Sequence, residues 1–294
     1  MSRIFITTSN GLFCFDERTQ KLEVAIQKRR GFWPVKRPSY GFFGLDNWNG
    51  KLLVASRERL GSSRAGKHSS DVRIFLVDKE TLQYFQYMDI HDVHDVHQIC
   101  LWKDLLILTD TGQNRILIYD LKSKAWQGTL LVGDVRSDVN HLNAITINQQ
   151  DLLIGLNNQG AMDSQILSIP LEKIETIDKQ EIDAIGNGTL IELPGLTHSH
   201  DIEPWQEQIL LCSSHEGKIY TMQPLKMCLK AMDWVRGLTV TEKAIWVGAS
   251  ALADRKKRHK ENVDSMLMRY SLPDFEKEFE IVLKGAGQVN DIII

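Results

Sequence analysis

The chain has 294 residues, 43% hydrophobic and 25% charged, with a formal net charge of −3, which is the balance of a folded protein long enough to bury a large core. No stretch approaches the roughly 18 apolar residues of a membrane span, and the opening residues lack the apolar core and small-residue cleavage site of a secretory leader. Cys14, Cys100, Cys212 and Cys228 show neither CxxC nor metal-ligand spacing, so the expectation is a cytoplasmic protein with reduced thiols and no membrane partner.

Strands are predicted from the first residues onward. Arg3 to Thr8 and Gly11 to Phe15 read as second and third strands with no first strand before them. An apolar strand opening at Phe43-Gly44-Leu45 follows. The next unit is the clearest: Val96 to Trp102, Leu105 to Thr109, a turn over Asp110-Thr111-Gly112-Gln113-Asn114, then Arg115 to Tyr119 and Trp126 to Val132. Two further strand pairs recur, Ile209 to Ser213 with Lys218 to Met222, and Ala244 to Gly248 with Ser265 to Tyr270. Gln288 to Ile294 is a first strand with nothing after it.

One signature opens each unit: any residue of a small set, a second residue, then Ile or Leu. It reads Phe43-Gly44-Leu45, His97-Gln98-Ile99, Asn143-Ala144-Ile145, His200-Asp201-Ile202, Arg236-Gly237-Leu238 and Asn290-Asp291-Ile292. The steps are 54, 46, 57, 36 and 54 residues, and 47 from Asn290 through the C-terminus round to Phe43. Repeats of roughly 40 to 50 residues holding several short strands are the mark of a β-propeller. The predicted fold is one all-β domain over 1–294, a six-bladed β-propeller of four-stranded antiparallel blades. Its orphan strands at the two ends share one blade and leave no open sheet edge.

In such a ring the first strand of each blade lines the axis, so the six opening residues stand at one height around it. His97, Asn143, His200, Arg236 and Asn290 therefore become a candidate axial set, with His91, His94, His141, His198 and Asp291 close by in sequence. Imidazole suits Zn or Fe, and Asn and Asp oxygens suit Ca, Mg or Mn. The expected metal ligands are His97, His141, Asn143, His200, Asn290 and Asp291, for a divalent ion of unspecified identity. Polar residues at these positions also pin neighbouring blades, and any single histidine is open to that structural reading. Arg236, followed by Gly237, suits a carboxylate or phosphate.

Charge is unevenly distributed. Residues 28–37, 57–67 and 255–260 hold fourteen of the 35 basic residues and one acid, Glu58, leaving 21 positive against 37 negative charges elsewhere. By strand direction all three segments fall on the face where the axial set emerges, which favours an anionic partner. Trp33, Arg255 and Lys256 are expected to touch substrate together with Arg236. Trp102, Trp126, Trp205 and Trp246 sit at strand positions and are expected to pack between blades.

The segments Val96-His97-Gln98-Ile99, His141-Leu142-Asn143-Ala144-Ile145, His198-Ser199-His200-Asp201-Ile202 with Pro204-Trp205, Val235-Arg236-Gly237-Leu238 and Val289-Asn290-Asp291-Ile292 resemble an uncharacterised bacterial β-propeller family with VHEI, CHLNGL, PHS and TRGL strand openings. The resemblance maps His97, His141, Asn143, His200 and Arg236 onto that family's motif positions. The closing segment departs from its acidic C-terminal pattern. The axial Asn, Asp and His are also distantly similar, in architecture and ligand type, to gluconolactonase and paraoxonase-type six-bladed propellers. That likeness implies an axial divalent metal supporting hydrolysis. Together these readings predict a metal-dependent hydrolase or lactonase for a small anionic molecule, with His94 or His198 shuttling protons and Arg236 holding the anion. The competing expectation is a non-catalytic module that binds an anionic ligand, a polypeptide or nucleic acid through the basic face.

Overall fold

The computed structural model describes residues 3–27, 39–59, 70–134, 138–232, 234–250 and 263–294. Within them the strands fall into six antiparallel sheets arranged as blades. Blade 1 begins with β1 (Arg3–Thr8), β2 (Gly11–Asp16) and β3 (Lys21–Gln27). Blade 2 is β4 (Ser39–Trp48), β5 (Lys51–Arg59), β6 (Ser70–Val77) and β7 (Tyr84–Val93). Blade 3 is β8 (Ile99–Trp102), β9 (Leu105–Asp110), β10 (Arg115–Asp120) and β11 (Ala125–Leu131). Blade 4 opens with β12 (Leu142–Asn148), β13 (Asp151–Leu156) and β14 (Gln165–Pro170). An excursion through α1 (Leu171–Glu175), β15 (Gln180–Asp183) and α2 (Ala184–Asn187) precedes its outer strand β16 (Thr189–Glu192). Blade 5 is β17 (Ser199–Trp205), β18 (Gln208–Ser213), β19 (Lys218–Met222) and β20 (Leu225–Lys230). Blade 6 is β21 (Val235–Val240), β22 (Ala244–Ser250), β23 (Ser265–Ser271) and β24 (Lys277–Leu283), and β25 (Val289–Ile293) ends the chain.

β25 pairs with β1 as the inner strand of blade 1, with Phe5 opposite Ile293 and Thr7 opposite Asp291. The ring is therefore closed by strands from both ends, as the sequence predicts. β15 adds a fifth, parallel strand to the outside of β11. It covers that edge of blade 3, and Glu175 in α1 accepts from Trp102 Nε1 at 2.6 Å and Lys103 Nζ at 2.7 Å. This excursion carries no repeat signal, which is why the strand pattern alone misses it.

The core consists of layers between neighbouring blades, because alternate strand residues face opposite sides of a sheet. In β9, Leu106 and Leu108 pack toward blade 2 while Ile107 packs toward blade 4. Trp246 fills the layer between blades 6 and 1, 6.1 Å from the Phe15 and Phe279 rings. Trp205 packs on Phe275. Each fully buried Leu, Ile or Phe contributes about 1.5–3 kcal/mol.

The inner strands share two devices that shape the axis. The first is a bulge: pairing slips at Asn143, His200, Arg236-Gly237, Phe43-Gly44 and Asn290, the opening residues of the repeat. An extra residue there bends the strand and re-aims side chains. The second is a set of pins one residue deeper. Asp291 accepts from Leu45 N at 2.8 Å, Gln98 Oε1 from Ile145 N at 2.8 Å and Asp201 Oδ2 from Leu238 N at 2.8 Å, each reaching the next blade. Gln98 also donates to Asp201 at 2.8 Å. Gly44, Ala144 and Gly237 alternate with these three, and a Cβ on Gly44 would sit 2.4 Å from Ile99 N. The axis has room for three polar side chains because the other three blades supply almost none.

Candidate functional site

The inner strands all start from one face, and their approaches create the site. The residue two before the opening residue of the repeat has a left-handed backbone in five of the six blades: Gly41 (φ 137°), Asp95 (76°), His141 (49°), His198 (57°) and Trp234 (58°). Four of the five are not glycine, and such residues cost roughly 1–3 kcal/mol each and persist only where the surroundings impose them. Here the turn places Asp95, His141, His198 and Trp234 on the wall of an axial pocket of about 240 Å³. Phe43, His97, His200 and Arg236, the opening residues of their repeats, complete the wall with Arg57, Asp138, Asn157, Gln159 and Gln288.

The pocket has two differently charged sides. On the side of blades 6, 1 and 2 lie two guanidinium groups. Arg236 Nη2 donates to His200 Nε2 at 2.5 Å, and the Gln288 oxygen, in the orientation that satisfies its neighbours, accepts from Arg236 Nε at 2.9 Å and Trp234 Nε1 at 2.6 Å. Arg57 pairs with Asp95 and donates to Val96 O at 2.8 Å. Each guanidinium also lies over an aromatic ring, Arg57 over Phe43 at 4.0 Å and Arg236 over Trp234 at 5.3 Å. On the blade 4 side, His141 Nδ1 sits 2.9 and 3.0 Å from the two Asp138 oxygens. A protonated Nδ1 facing a carboxylate leaves Nε2 with its lone pair, the tautomer of a general base.

The other histidines are set by their contacts. His200 is neutral: Nδ1 donates to His198 O at 3.0 Å, and Nε2 accepts from Arg236. Burial and then the Arg236 charge hold its pKa well below the usual imidazole range. Burial and the neighbouring His215, 4.2 Å away between ring centres, lower His198 as well. His97 lies 5.2 Å from the His141 ring, with Nε2 3.6 Å from Asp95.

The residues expected from sequence thus divide into groups. His97, His141, His198, His200 and Arg236 converge on the pocket. His94 lies outside its wall, with Nε2 3.2 Å from Asp92 and its backbone N–H donating to Asp110. Asn290 donates to Phe42 O at 2.7 Å, and both Asp291 oxygens accept backbone N–H groups. Asn143 is buried, and its amide makes no hydrogen bond with the described residues. Trp33, Arg255 and Lys256 lie outside the described residues, as does nearly all of the basic rim.

As arranged, the six expected metal ligands do not form a coordination shell. Both His200 ring nitrogens are engaged, one by a cation, and both Asp291 oxygens are occupied. Among the described residues no three His, Cys, Asp or Glu side chains are grouped closely enough to hold a metal.

Sequence reasoning missed Asp95, Asp138, Asn157, Gln159, Trp234 and Gln288 as pocket residues. The signal for Trp234 and Asp95 was their common distance from the opening residue of the repeat, two residues upstream. Beneath the pocket the axis is acidic. Burial raises Asp201 and Asp291, which repel each other, while burial and then the Asp201 charge push Glu203 up to about 8. Burial pushes Asp46 up to about 6.

Comparison with known proteins bears on the architecture. No family model matches the chain and no curated protein is similar to it in sequence. Solved structures are similar in fold. A structure described as a nidogen/laminin complex has a TM-score of 0.65 at 10% identity, with 99% of this chain and 97% of that one covered. A protein of unknown function from Bacteroides caccae has a TM-score of 0.62 at 11% identity over 99% and 97%. A putative 6-phosphogluconolactonase from Bacteroides uniformis has a TM-score of 0.55 at 8% identity over 95% and 82%. At these identities the likeness is one of fold. Among the described residues no helix is long and apolar enough to cross a membrane.

Proposed function

We propose that the axial pocket hydrolyses a small anionic ester or lactone, with His141 as general base. The observation that carries this reading is the His141–Asp138 pair on the blade 4 side of a pocket whose other side holds Arg57 and Arg236. An anion drawn toward the guanidinium groups leaves its far end beside the imidazole, because blade 4 stands opposite blade 1 in a six-membered ring. Asp138 fixes the tautomer and stabilises the imidazolium that forms.

In the reaction, His141 Nε2 takes a proton from water as the water oxygen bonds to the carbonyl carbon. The bond from that carbon to the ester oxygen then breaks, and the proton returns to the leaving oxygen from His141 or through His198. The net change is addition of one water, which opens a lactone to a hydroxy acid or splits an ester into an acid and an alcohol. The description of one similar propeller as a putative 6-phosphogluconolactonase agrees with this class of chemistry.

The test is proton release from a panel of carboxylate- and phosphate-bearing lactones and esters. His141→Gln is expected to lower kcat by about 10²–10⁴-fold, the usual range for a general base, and Asp138→Asn to lower it less. Activity unchanged in His141→Gln would remove the proposal. A second reading keeps a divalent ion: His97 and His141 lie side by side, each with a carboxylate near a ring nitrogen, as metal-bound histidines commonly have. Elemental analysis of the purified protein separates the two readings, and stoichiometric metal lost in His97→Ala favours the second.

A further inference from the structure

Every side chain on the pocket wall ends in a flat group. Phe43 and Trp234 contribute aromatic rings, four histidines contribute imidazoles, and the rest are guanidinium, carboxylate or carboxamide groups, with no aliphatic side chain and no hydroxyl among them. The rings form a belt. Phe43 meets His97 edge to face at 6.1 Å, His97 meets His141 at 5.2 Å, and Trp234 meets His200 at 5.9 Å and His215 at 4.7 Å. The two cations continue it, since each guanidinium lies over an aromatic ring. A guanidinium is planar and can stack on a flat partner, which an ammonium group cannot do.

The pocket, at about 240 Å³, is smaller than the roughly 300–1,000 Å³ typical of drug-sized ligands. We infer that the pocket selects a flat carboxylate carrying a single aromatic or unsaturated ring, stacked on a guanidinium plane with its charge toward Arg57 and Arg236. A flexible polyhydroxy acid of equal charge has no ring to stack and many hydroxyls that need partners. This inference rests on the anion-binding pocket of the proposed function and names its substrate class.

The experiment is calorimetric titration of the full chain with three probes: benzoate, flat and charged; gluconate, charged but not flat; and benzamide, flat but uncharged. Benzoate is expected to bind at least tenfold more tightly than either. Arg57→Lys and Arg236→Lys keep the charge and remove the plane, so each should weaken benzoate by tenfold or more and change gluconate by less than threefold. Thermal midpoints of both variants show whether they fold. Gluconate binding as tightly as benzoate, or both lysine variants weakening the two anions equally, overturns the inference while the anion pocket stands. Benzamide binding as tightly as benzoate, or no binding by any probe, overturns the anion pocket as well.

Discussion

Glu203→Gln tests the buried acidic axis quantitatively. Glu203 is partly buried, and its carboxyl accepts only weakly, from Val240 N at 3.3 Å and Thr239 Oγ1 at 3.4 Å. Burial, with the Asp201 charge behind it, pushes its pKa from 4.5 to about 8. A group that binds its proton more tightly when folded contributes stability below its unfolded pKa and loses it as pH rises through the folded value. The window is therefore pH 4.5 to 8, and the displacement corresponds to roughly 4–5 kcal/mol at about 1.4 kcal/mol per pH unit. Glutamine keeps the accepting oxygen and cannot ionise. Near pH 4.5 the variant should match the parent or fall below it by about 1–3 kcal/mol, the cost of an unsatisfied amide N–H. Near pH 8.5 it should be the more stable protein by several kcal/mol, on the order of 10 °C in Tm. Urea unfolding of both proteins across this range measures the difference. A gap between them that does not change with pH would refute the reasoning.

Other expectations follow from single residues. Asp291→Ala removes the acceptor of the buried Leu45 and Ile292 N–H groups and should destabilise the closed ring by about 2–6 kcal/mol, at 1–3 kcal/mol for each orphaned donor; an unchanged denaturation midpoint at pH 5 would contradict the pin. Gly160→Ala would place a Cβ 2.4 Å from His198 Cε1 at a residue with φ 73°, so ligand affinity should fall when measured on protein that remains folded by circular dichroism. Reversing Arg255 and Lys256 to Glu should slow anion capture at low salt and matter little at high salt, where screening shortens to a few ångströms; stopped-flow association rates at two ionic strengths check this.

The ring was legible because the same strand opening recurs six times, and because the orphan strands at the two termini complement each other. The functional side of the axis was legible only in part. His97, His200 and Arg236 share the repeat register, so equal spacing brought them to one height, and His141 and His198 followed from the two-residue offset. Backbone sign is a different matter: nothing in the identity of Asp95 or Trp234 announces a left-handed φ, and their place on the wall depends on it. Asn290 and Asp291 show the limit of a shared register. They stand at the right height, but their polar atoms reach sideways to blade 2 instead of upward to the mouth. The Asp138 carboxylate comes from a loop that no repeat specifies, and the excursion 171–187 interrupts blade 4 for the same reason.

The most direct test of the catalytic pocket is a crystal structure of His141→Gln protein holding an intact carboxylate-bearing lactone. The account predicts the carboxylate on the Arg57 and Arg236 side, and the lactone carbonyl carbon beside residue 141 with room for one water between them, at the roughly 3–3.5 Å separation of reacting atoms. A lactone bound away from the axis, or one inverted with its carbonyl against Arg236 and its carboxylate at residue 141, would contradict it.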